Sequence, residues 1–373
     1  MNKQYFEAIA TLVGTVIGAG VLGLPYVIAQ SGVLIGLIHI LILGIGVLFI
    51  NLYIAEISLR TKKKHQLVGY AEKYIGKYGK LFMTLATIIG VYGALIAYLI
   101  GEGESLRALF SINATTAMLG FFILMGFLIY KGLNIIERWE LTLSGLMIII
   151  IFIIIFFGIP SINFSNLTSV NYSKFFLPYG VILFSFIGAI AIPEMKETLI
   201  KQKKKLKSAV IIGSLIPITI YAIFAIVTVG VSGLSTSQIA TIGLGKVLGT
   251  HMVILGNLFA IFSMATSFLA LGLGLQWMYQ FDFGMKKSRA FILTMTIPLI
   301  IVLLKFTNFI QALGITGAIA GGIEGIIIVI MFHKARKLGE RKPEFQVKTN
   351  KFISGILITI FIGGIIYTLF NFL

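Results

Sequence analysis

The chain contains no cysteine, and this absence excludes several kinds of chemistry at once. Without it no disulfide, thiolate nucleophile, zinc–thiolate site or iron–sulfur cluster can form. Acidic residues are scarce too, with 13 Asp and Glu against 30 Lys and Arg. Neither these acids nor the four histidines cluster in the sequence, so we expect no catalytic site, no bound metal and no enzyme.

Apolar sequence is what the chain has in excess. Hydrophobic residues make up 58% of it, whereas charged residues make up 12%, about half the share of a soluble domain. The mean hydropathy is +1.02, and apolar runs repeatedly reach the roughly 20 residues that a helix needs to cross a membrane. The composition therefore predicts an all-α polytopic membrane protein that forms one helical bundle.

Eleven transmembrane helices are predicted from these runs. Their bounds are 5–29, 32–59, 81–110, 115–130, 139–158, 177–199, 208–231, 252–281, 290–304, 309–333 and 352–372. The segment before the first helix is too short for a cleaved signal peptide, so that helix is expected to stay as a signal anchor.

The basic residues predict the orientation in the plasma membrane, because cytoplasmic loops are rich in Lys and Arg. With the N-terminus in the cytoplasm, all 30 basic residues except Arg107, Lys174, Lys246 and Lys305 fall on the cytoplasmic side. The C-terminus is then outside. This rule also explains the net charge of +17 without nucleic acid, and anionic membrane lipids are the expected contact. No obligate protein partner is predicted.

The first helix carries glycines 14, 18, 20 and 23 and then Pro25, which interrupt a continuous helix. The glycines at 18, 20 and 23 also fit a dinucleotide-binding pattern, but no strand precedes them. Non-helical backbone at membrane depth is tolerated only where it lines a cavity or is buried in protein. The interruption therefore predicts backbone groups that face a substrate or an ion.

A second interruption is predicted in the sixth helix, around Gly188, Pro193 and Glu194. One such helix is often only a proline-kinked packing helix. A second break five helices later is harder to explain as a packing kink. Because five is an odd number, a repeat of five helices places the second half of the chain in the membrane in the inverted orientation. Paired broken helices in inverted halves are typical of a transporter binding site.

Short motifs in order along the chain resemble a known family. They are Ile-Gly-Ala-Gly-Val-Leu-Gly-Leu-Pro at 17–25, Gly-Ala-Leu-Ile-Ala-Tyr-Leu at 93–99, Leu-Pro-Tyr-Gly at 177–180, Ile-Pro-Glu at 192–194 and Thr-Ser-Phe-Leu at 266–269. This set resembles the amino acid–polyamine–organocation (APC) superfamily of transporters, closest to the amino acid/auxin permease and hydroxy/aromatic amino acid permease branch.

The resemblance implies a leucine-transporter (LeuT) type fold with two inverted repeats of five helices. Repeat one would be residues 1–158, repeat two residues 177–333, and residues 350–373 would add an eleventh helix. The whole chain, 1–373, would be a single transporter domain. Substrate would lie between helices one, three, six and eight.

An amino acid fits the first break because a half-helix that begins near Gly20 offers N–H groups to a carboxylate. Freed carbonyl groups, such as those of Thr15 and Ser185, would receive the ammonium group. Tyr92 or Tyr98 could cap the carboxylate, although either could instead be a packing tyrosine. The predicted substrate-binding residues are Thr15, Gly18, Ala19, Gly20, Val21, Tyr92, Phe184, Ser185, Phe186 and Gly188.

The coupling ion stays open at this point. The Thr266 and Ser267 hydroxyls with carbonyls of Gly14, Ile17 and Ser263 could bind Na⁺, or these small residues could simply pack helices. Proton coupling would require a buried acid, for which Glu102, Glu194 and Glu324 are the candidates.

Each of these acids has a second interpretation. Glu102 is expected in a solvated vestibule. Glu194 could close the cytoplasmic side by pairing with a Lys or Arg, and Glu324 could act as an outer gate or bond a neighbouring helix.

The sequence thus predicts a secondary active transporter that moves neutral, including aromatic, amino acids by cation-coupled symport and alternating access. An exchanger, a uniporter and a nutrient-sensing receptor on a transporter scaffold are the alternatives.

Overall fold

The computed structural model describes residues 3–132, 135–348 and 351–372, which are mostly helical and contain no strand in those ranges. The all-α prediction is therefore confirmed. The predicted unit boundaries at residues 1, 350 and 373 lie outside the described residues.

Sixteen α-helices are found in the described part of the chain. They are α1 (Lys3–Val16), α2 (Gly20–Ser31), α3 (Val33–Arg60), α4 (Leu67–Ile75), α5 (Lys77–Phe110), α6 (Ala114–Lys131), α7 (Ile135–Gly158), α8 (Leu177–Phe186), α9 (Ile192–Thr198), α10 (Leu206–Ser232), α11 (Ala240–Leu248), α12 (Thr250–Trp277), α13 (Lys287–Leu303), α14 (Phe309–Thr316), α15 (Gly322–Leu338) and α16 (Lys351–Phe372).

Up to nine membrane spans meet a test of length and hydropathy within the described residues: eight single segments, one of which contains α8 and α9, and the bent pair α1–α2. Two further helical segments are shorter than the roughly 20 residues that cross a bilayer. One is α13, with 17 residues, and the other is the apolar stretch Gly145–Ser161, which begins within α7, a helix of 24 residues. A multi-pass membrane protein is thus confirmed, whereas the count of eleven crossings stays a prediction.

Two helices are interrupted where the sequence predicted it. Residues 17–19 separate α1 from α2, and the two helices meet at a bend of 55°. Residues 187–191 separate α8 from α9, with a short 3₁₀ turn at Ala189–Ala191. A third irregular segment, Gly317–Gly321, is π-helical and joins α14 to α15 without a break.

Hydrogen bonds and ion pairs identify two opposite faces of the bundle. On one, which we call the Arg60 face, Lys64 pairs with Glu197 at 2.7 Å and the Arg60 carbonyl accepts from the backbone N–H of Glu340. On the other, which we call the Ser31 face, the Ser31 carbonyl accepts a hydrogen bond from the N–H of Asn171.

Candidate functional site

A cavity of about 270 Å³ lies between the two breaks. Its walls come from the first break, the end of α8, one face of α5, one face of α12 and the α14–α15 span. The residues that line it are Gly14, Thr15, Val16, Ile17, Gly18, Ala19, Gly20, Leu67, Ala86, Thr87, Gly90, Val91, Ala94, Tyr98, Met147, Phe184, Ser185, Ile187, Ile190, Thr266, Ser267, Ala270, Leu271, Thr316, Ala320 and Glu324.

The cavity extends from the breaks toward the Arg60 face. Leu67 lies on α4, the short helix that follows Arg60 by a few residues, and Ile190 lies just before α9. Thr87 lies on the half of α5 that begins at Lys77.

The first break leaves backbone donors and acceptors without partners in the described chain. No bond is formed by the N–H groups of Ala19 and Gly20, nor by the carbonyls of Gly14, Thr15 and Ile17. The donors are at the N-terminus of α2, where the helix dipole is positive and Ala19 supplies no side-chain cap. A cation and an anion could thus be bound a few ångströms apart by backbone alone.

The second break touches the first at Gly20 and Ser185. A Cβ atom at Gly20 would lie 2.6 Å from Ser185 Oγ and 2.9 Å from Ser185 Cα, too close for any side chain. The Ser185 hydroxyl donates to the Val181 carbonyl at 2.8 Å. Glycine at position 20 is therefore required for the two interrupted helices to approach.

Tyr221 on α10 joins the breaks, and sequence reasoning missed it. Its fully buried hydroxyl is 2.7 Å from the Val16 carbonyl and 3.1 Å from the Ser185 carbonyl, so one donor serves both. Its ring packs on Phe186 with the centroids 5.2 Å apart. The available signal was a tyrosine within an apolar run, since a buried Tyr hydroxyl usually finds a partner.

Six of the ten predicted substrate residues line the cavity, and their role stays a prediction. They are Thr15, Gly18, Ala19, Gly20, Phe184 and Ser185. Val21, Phe186 and Gly188 are packed behind the wall instead. Phe186 faces Tyr221, while a Cβ atom at Gly188 would meet Val16 and Leu12.

Tyr92 lies outside the cavity, contrary to the expectation that it could cap a carboxylate. Its hydroxyl is 3.0 Å from the Tyr279 hydroxyl and 3.0 Å from the Leu293 carbonyl, so it holds α5 against the π-helical turn after α12 and against α13. Tyr98, the other candidate, lines the cavity beside the Ser267 side chain. Helical phase explains the difference, because residues six apart point to different faces.

The predicted sodium ligands are brought together only in part. Gly14, Ile17, Thr266 and Ser267 line the cavity, but Ser263 is buried beside it. The Ser263 carbonyl already accepts a hydrogen bond from Thr266 Oγ1 at 3.1 Å. Four of the five expected oxygens are therefore available at this place.

The three candidate acids have three different environments. Glu324 is half-buried and lines the cavity, one turn after Ala320 and two after Thr316. It therefore faces the site rather than an outer gate. Glu194 is exposed and forms no ion pair with another described residue, so the predicted closing pair is not observed.

Glu102 is not in a solvated vestibule, and that expectation is wrong. It is 0% exposed, and neither carboxylate oxygen has a hydrogen-bond partner in the described structure. The physical reason is that α5 continues about two turns past it to Phe110, where α6 and α12 cover the helix.

A buried charge network on the Arg60 face was also missed. Glu56 is 0% exposed and binds Arg60 at 2.9 Å, Arg336 at 3.0 and 3.1 Å, and the Val347 N–H at 2.7 Å. The network ties α3 to α15 and to the segment after α15. Its partners are about 280 residues apart in sequence, which is why no local pattern indicated it.

Glu340 forms a second, exposed link on this face. The Lys73 ammonium group, 2.5 Å away, and the Lys62 N–H hold the pKa of its carboxyl below the ordinary value. The link connects α4 to the segment that follows α15.

Comparisons with known proteins identify relatives of this chain. Residues 1–369 match the model of the tryptophan/tyrosine permease family. "Glutamine transporter 2" of Aliivibrio fischeri is 27% identical over 93% of this chain and 92% of its own. "Tyrosine-specific transport system 1" of Haemophilus influenzae is 27% identical over 92% and 91%. "Tryptophan-specific transport protein" of Shigella flexneri is 23% identical over 94% and 91%.

Proposed function

Because the chain belongs to the tryptophan/tyrosine permease family, we propose that it moves neutral amino acids, aromatic ones among them, across the plasma membrane by cation-coupled symport. The family and the relatives are transporters, not enzymes, and the resemblance to amino acid permeases is confirmed. One observation carries the proposal: unpaired backbone donors and acceptors lie side by side at the first break and face a cavity.

The groups at the break match the two charges of an amino acid. The carboxylate would accept from the N–H groups of Ala19 and Gly20, where the α2 dipole also favours an anion. The ammonium group would donate to the carbonyls of Thr15 and Ile17. No basic side chain lines the cavity within the described residues, so an additional acidic group on the substrate would lack a partner.

Apolar residues surround the place where the substrate side chain would lie. Val91, Met147, Phe184 and Leu271 line the cavity on the sides away from the break. Ligand sites of this kind are mostly apolar, with a few polar groups that set orientation. This wall supports uncharged side chains and accommodates an aromatic ring.

For the fold, we propose the leucine-transporter arrangement of two inverted five-helix repeats. The contacts support it, because pairs in one half have counterparts in the other. The contact of α2 with α8 matches that of α1 with α9, and the contact of α1 with α10 matches that of α8 with α3. Likewise α2 contacts α10 as α9 contacts α3.

The short helices α4 and α11 support the same repeat. Each has nine residues and precedes the third long helix of its half. Each ends at a glycine with positive φ, 90° at Gly76 and 95° at Gly249, a conformation that glycine adopts without strain. In this arrangement α7 and α13 would also cross the membrane, giving eleven crossings with α16 as the last.

The Arg60 face would be cytoplasmic, with the C-terminus outside. Basic side chains concentrate on that face, as cytoplasmic surfaces require. The cavity extends toward it, so this conformation would be the inward-facing one of an alternating-access cycle. Anionic lipid headgroups would meet the Lys and Arg side chains around it.

The coupling cation is either Na⁺ or H⁺. The cavity offers four of the five oxygens expected for sodium, and Glu324 is the acid that lines it. In a symporter the coupling ion is transported together with the amino acid and is not a resident cofactor. Either ion would therefore be a substrate of the cycle.

Transport in proteoliposomes tests the proposal. Purified protein is reconstituted, and uptake of labelled tyrosine, tryptophan and glutamine is measured by counterflow, which needs no ion gradient. Sodium and pH gradients are then imposed separately. Binding without any transmembrane flux would indicate a receptor, flux that no gradient drives would indicate an exchanger or uniporter, and absence of both would refute the proposal.

Matched glycine variants locate the site. Gly20→Ala should abolish counterflow, because the new Cβ would collide with Ser185 at the break. Gly120→Ala on α6 is the control, since a Cβ there meets no atom within 4 Å. Equal loss of flux in both variants would count against a site at the break.

A further inference from the structure

We propose that Glu102 is a proton-binding site that couples transport to a pH gradient. The inference rests on the proposed transport function and assigns one carboxyl group to one step of it. Glu102 lies on α5 beyond the central cavity, on the side toward Phe110. It would bind a proton with substrate and release it later in the cycle.

The carboxyl group of Glu102 is enclosed without a partner. Its exposure is 0%, and both of its oxygens lack a hydrogen bond in the described structure. Two hydroxyls nearby are in the same condition. Ser105, one turn along α5, and Ser263 on α12 are each 0% exposed with an unpaired hydroxyl oxygen. Buried polar groups without partners are few in native proteins, and each calls for an explanation.

The register between α5 and α12 brings these groups to one level. Tyr98 lies beside Ser267, and a Cβ atom at Gly101 would meet the Met264 sulfur atom. The helices are therefore antiparallel, with each step along α5 matched by a step back along α12. Glu102 and Ser263 lie four residues from the Tyr98–Ser267 contact on the same faces of their helices, so this register sets them on facing sides one turn further along.

No charge near Glu102 could keep it ionised. On α5 itself, Arg107 is paired with Glu104 by an ion pair, and Tyr98 is uncharged. Of the helices packed on this stretch, α6 has its charged residue at the far end, α12 has only a histidine at its start, and α14 has none. The residue on α6 is Lys131 and the histidine on α12 is His251. The other basic side chains on neighbouring elements are Lys246 on α11, Lys287 and Arg289 on α13, and Lys305 before α14.

A proton fits this place better than a metal cation does. Hard cations such as Mg²⁺ and Ca²⁺ take about six to eight oxygen ligands. The side chains here offer four oxygens, two from Glu102 and one each from Ser105 and Ser263. Carbonyls within the continuous helices α5 and α12 are engaged in the helix, and the packing is tight on both sides, because a Cβ atom at Gly101 would collide with Met264 and one at Gly103 with Ala114.

The site is linked to the cavity by helical spacing. Tyr98 and Glu102 are four residues apart on α5, and Ser267 and Ser263 are four apart on α12, so both pairs share a helix face. Tyr98 and Ser267 line the cavity. The result is a row of hydroxyl and carboxyl groups that begins at the substrate cavity and runs toward the Ser31 face. Contact of the substrate with Tyr98 would thus affect proton binding by Glu102, which lies one helical turn away.

The test compares Glu102→Gln with Glu104→Gln in proteoliposomes. Glu104 is the matched control, two residues away but half-buried and paired with Arg107. In wild-type protein a gradient of one pH unit should drive accumulation of about tenfold, if one proton moves with each substrate. Glu102→Gln should keep counterflow but lose this accumulation, and Glu104→Gln should keep both.

Other outcomes separate this inference from the proposed function. Accumulation by Glu102→Gln equal to wild type would overturn the assignment while transport stands. The same holds if wild type responds to a sodium gradient and not to pH. Absence of counterflow in wild type would remove the proposed function itself.

A second variant and a spectroscopic measurement keep the proposal testable if Glu102→Gln does not fold. Glu102→Asp keeps an ionisable group and should retain pH-driven accumulation. Infrared difference spectra of wild type with and without substrate should show a protonated-carboxyl band that Glu104→Gln retains. Absence of any such band in wild type would contradict the proposal.

Discussion

Glu56 and Glu102 are both fully buried glutamates in long apolar helices, yet their surroundings are opposite. Glu56 accepts hydrogen bonds from Arg60, Arg336 and the Val347 N–H. Glu102 accepts none within the described structure. The first carboxylate is held by hydrogen bonds and ion pairs from three segments, whereas the second has no such partner in the described structure.

This contrast teaches how to separate structural from functional acids in a membrane bundle. A buried charge that is completely paired mainly holds segments in place, and removal of one partner is expensive. Burial of an acid without partners lowers stability. Such an acid in a membrane protein therefore indicates a functional role. The two glutamates should therefore respond oppositely to the same kind of substitution.

The largest effect is expected for Glu56→Ala. The variant leaves two arginines and the Val347 N–H without their acceptor, so the free energy of unfolding should fall by about 3–5 kcal/mol. Because the arginine side chains are 12% and 28% exposed, the lower figure is expected. Thermal unfolding in detergent measures this.

Glu104→Ala is the control for that measurement. It breaks only the half-exposed pair with Arg107, and it should lower stability by about 0–1 kcal/mol. If both variants unfold alike, the Glu56 network does not hold the Arg60 face together.

Tyr221→Phe should have the second largest effect. It leaves the buried Val16 and Ser185 carbonyls without their shared donor, which is expected to lower stability by about 1–3 kcal/mol. Thermal unfolding and counterflow should both change. Tyr172→Phe is the matched control, because Tyr172 is 79% exposed. Unchanged unfolding in Tyr221→Phe would mean that water replaces the hydroxyl.

Glu102→Leu should shift stability in the opposite direction. An unpartnered buried carboxyl is replaced by an apolar group of similar size, so stability should rise by about 1 kcal/mol. pH-driven accumulation should be lost in the same variant. A fall in stability comparable with that of Glu56→Ala would erase the contrast between the two glutamates.

The smallest effect concerns Glu340 and pH. Its pKa is below the ordinary value of about 4.3 because Lys73 and the Lys62 N–H stabilise the charged form. A lowered pKa contributes stability above the unfolded value and loses it as pH falls through the folded value. Wild type should therefore be slightly more stable than Glu340→Gln at pH 7, and the difference should shrink as pH falls below the unfolded pKa of about 4.3. A difference that does not shrink on acidification would contradict this.

The sequence predicted the helical class and both breaks, because glycine and proline act locally on helix continuity. It also predicted that residues 14–20 would meet Ser185 and Phe184, since paired breaks imply a common site. Tyr92 and Glu102 were misplaced for a different reason. Which face of α5 they occupy, and how far α5 extends past them, depends on neighbouring helices rather than on local sequence.

Two other contacts between distant segments could not be predicted. Glu56 and Arg336 are separated by 280 residues, and Tyr221 and Val16 by 205. In each case the residue type gave a weak hint: an acid near a helix end, or a tyrosine among aliphatic residues. The partners become visible only when the bundle is assembled.

The shared bond of Tyr221 has a consequence for the speed of conformational change. One hydroxyl hydrogen is offered to two carbonyls, and each belongs to a different interrupted helix. In the proposed alternating-access cycle, any sliding of these helices past each other would let the hydrogen pass from one oxygen to the other without a moment at which it is unbonded. Such a contact holds the two interrupted helices together at rest and would add little to the free-energy barrier of their relative motion.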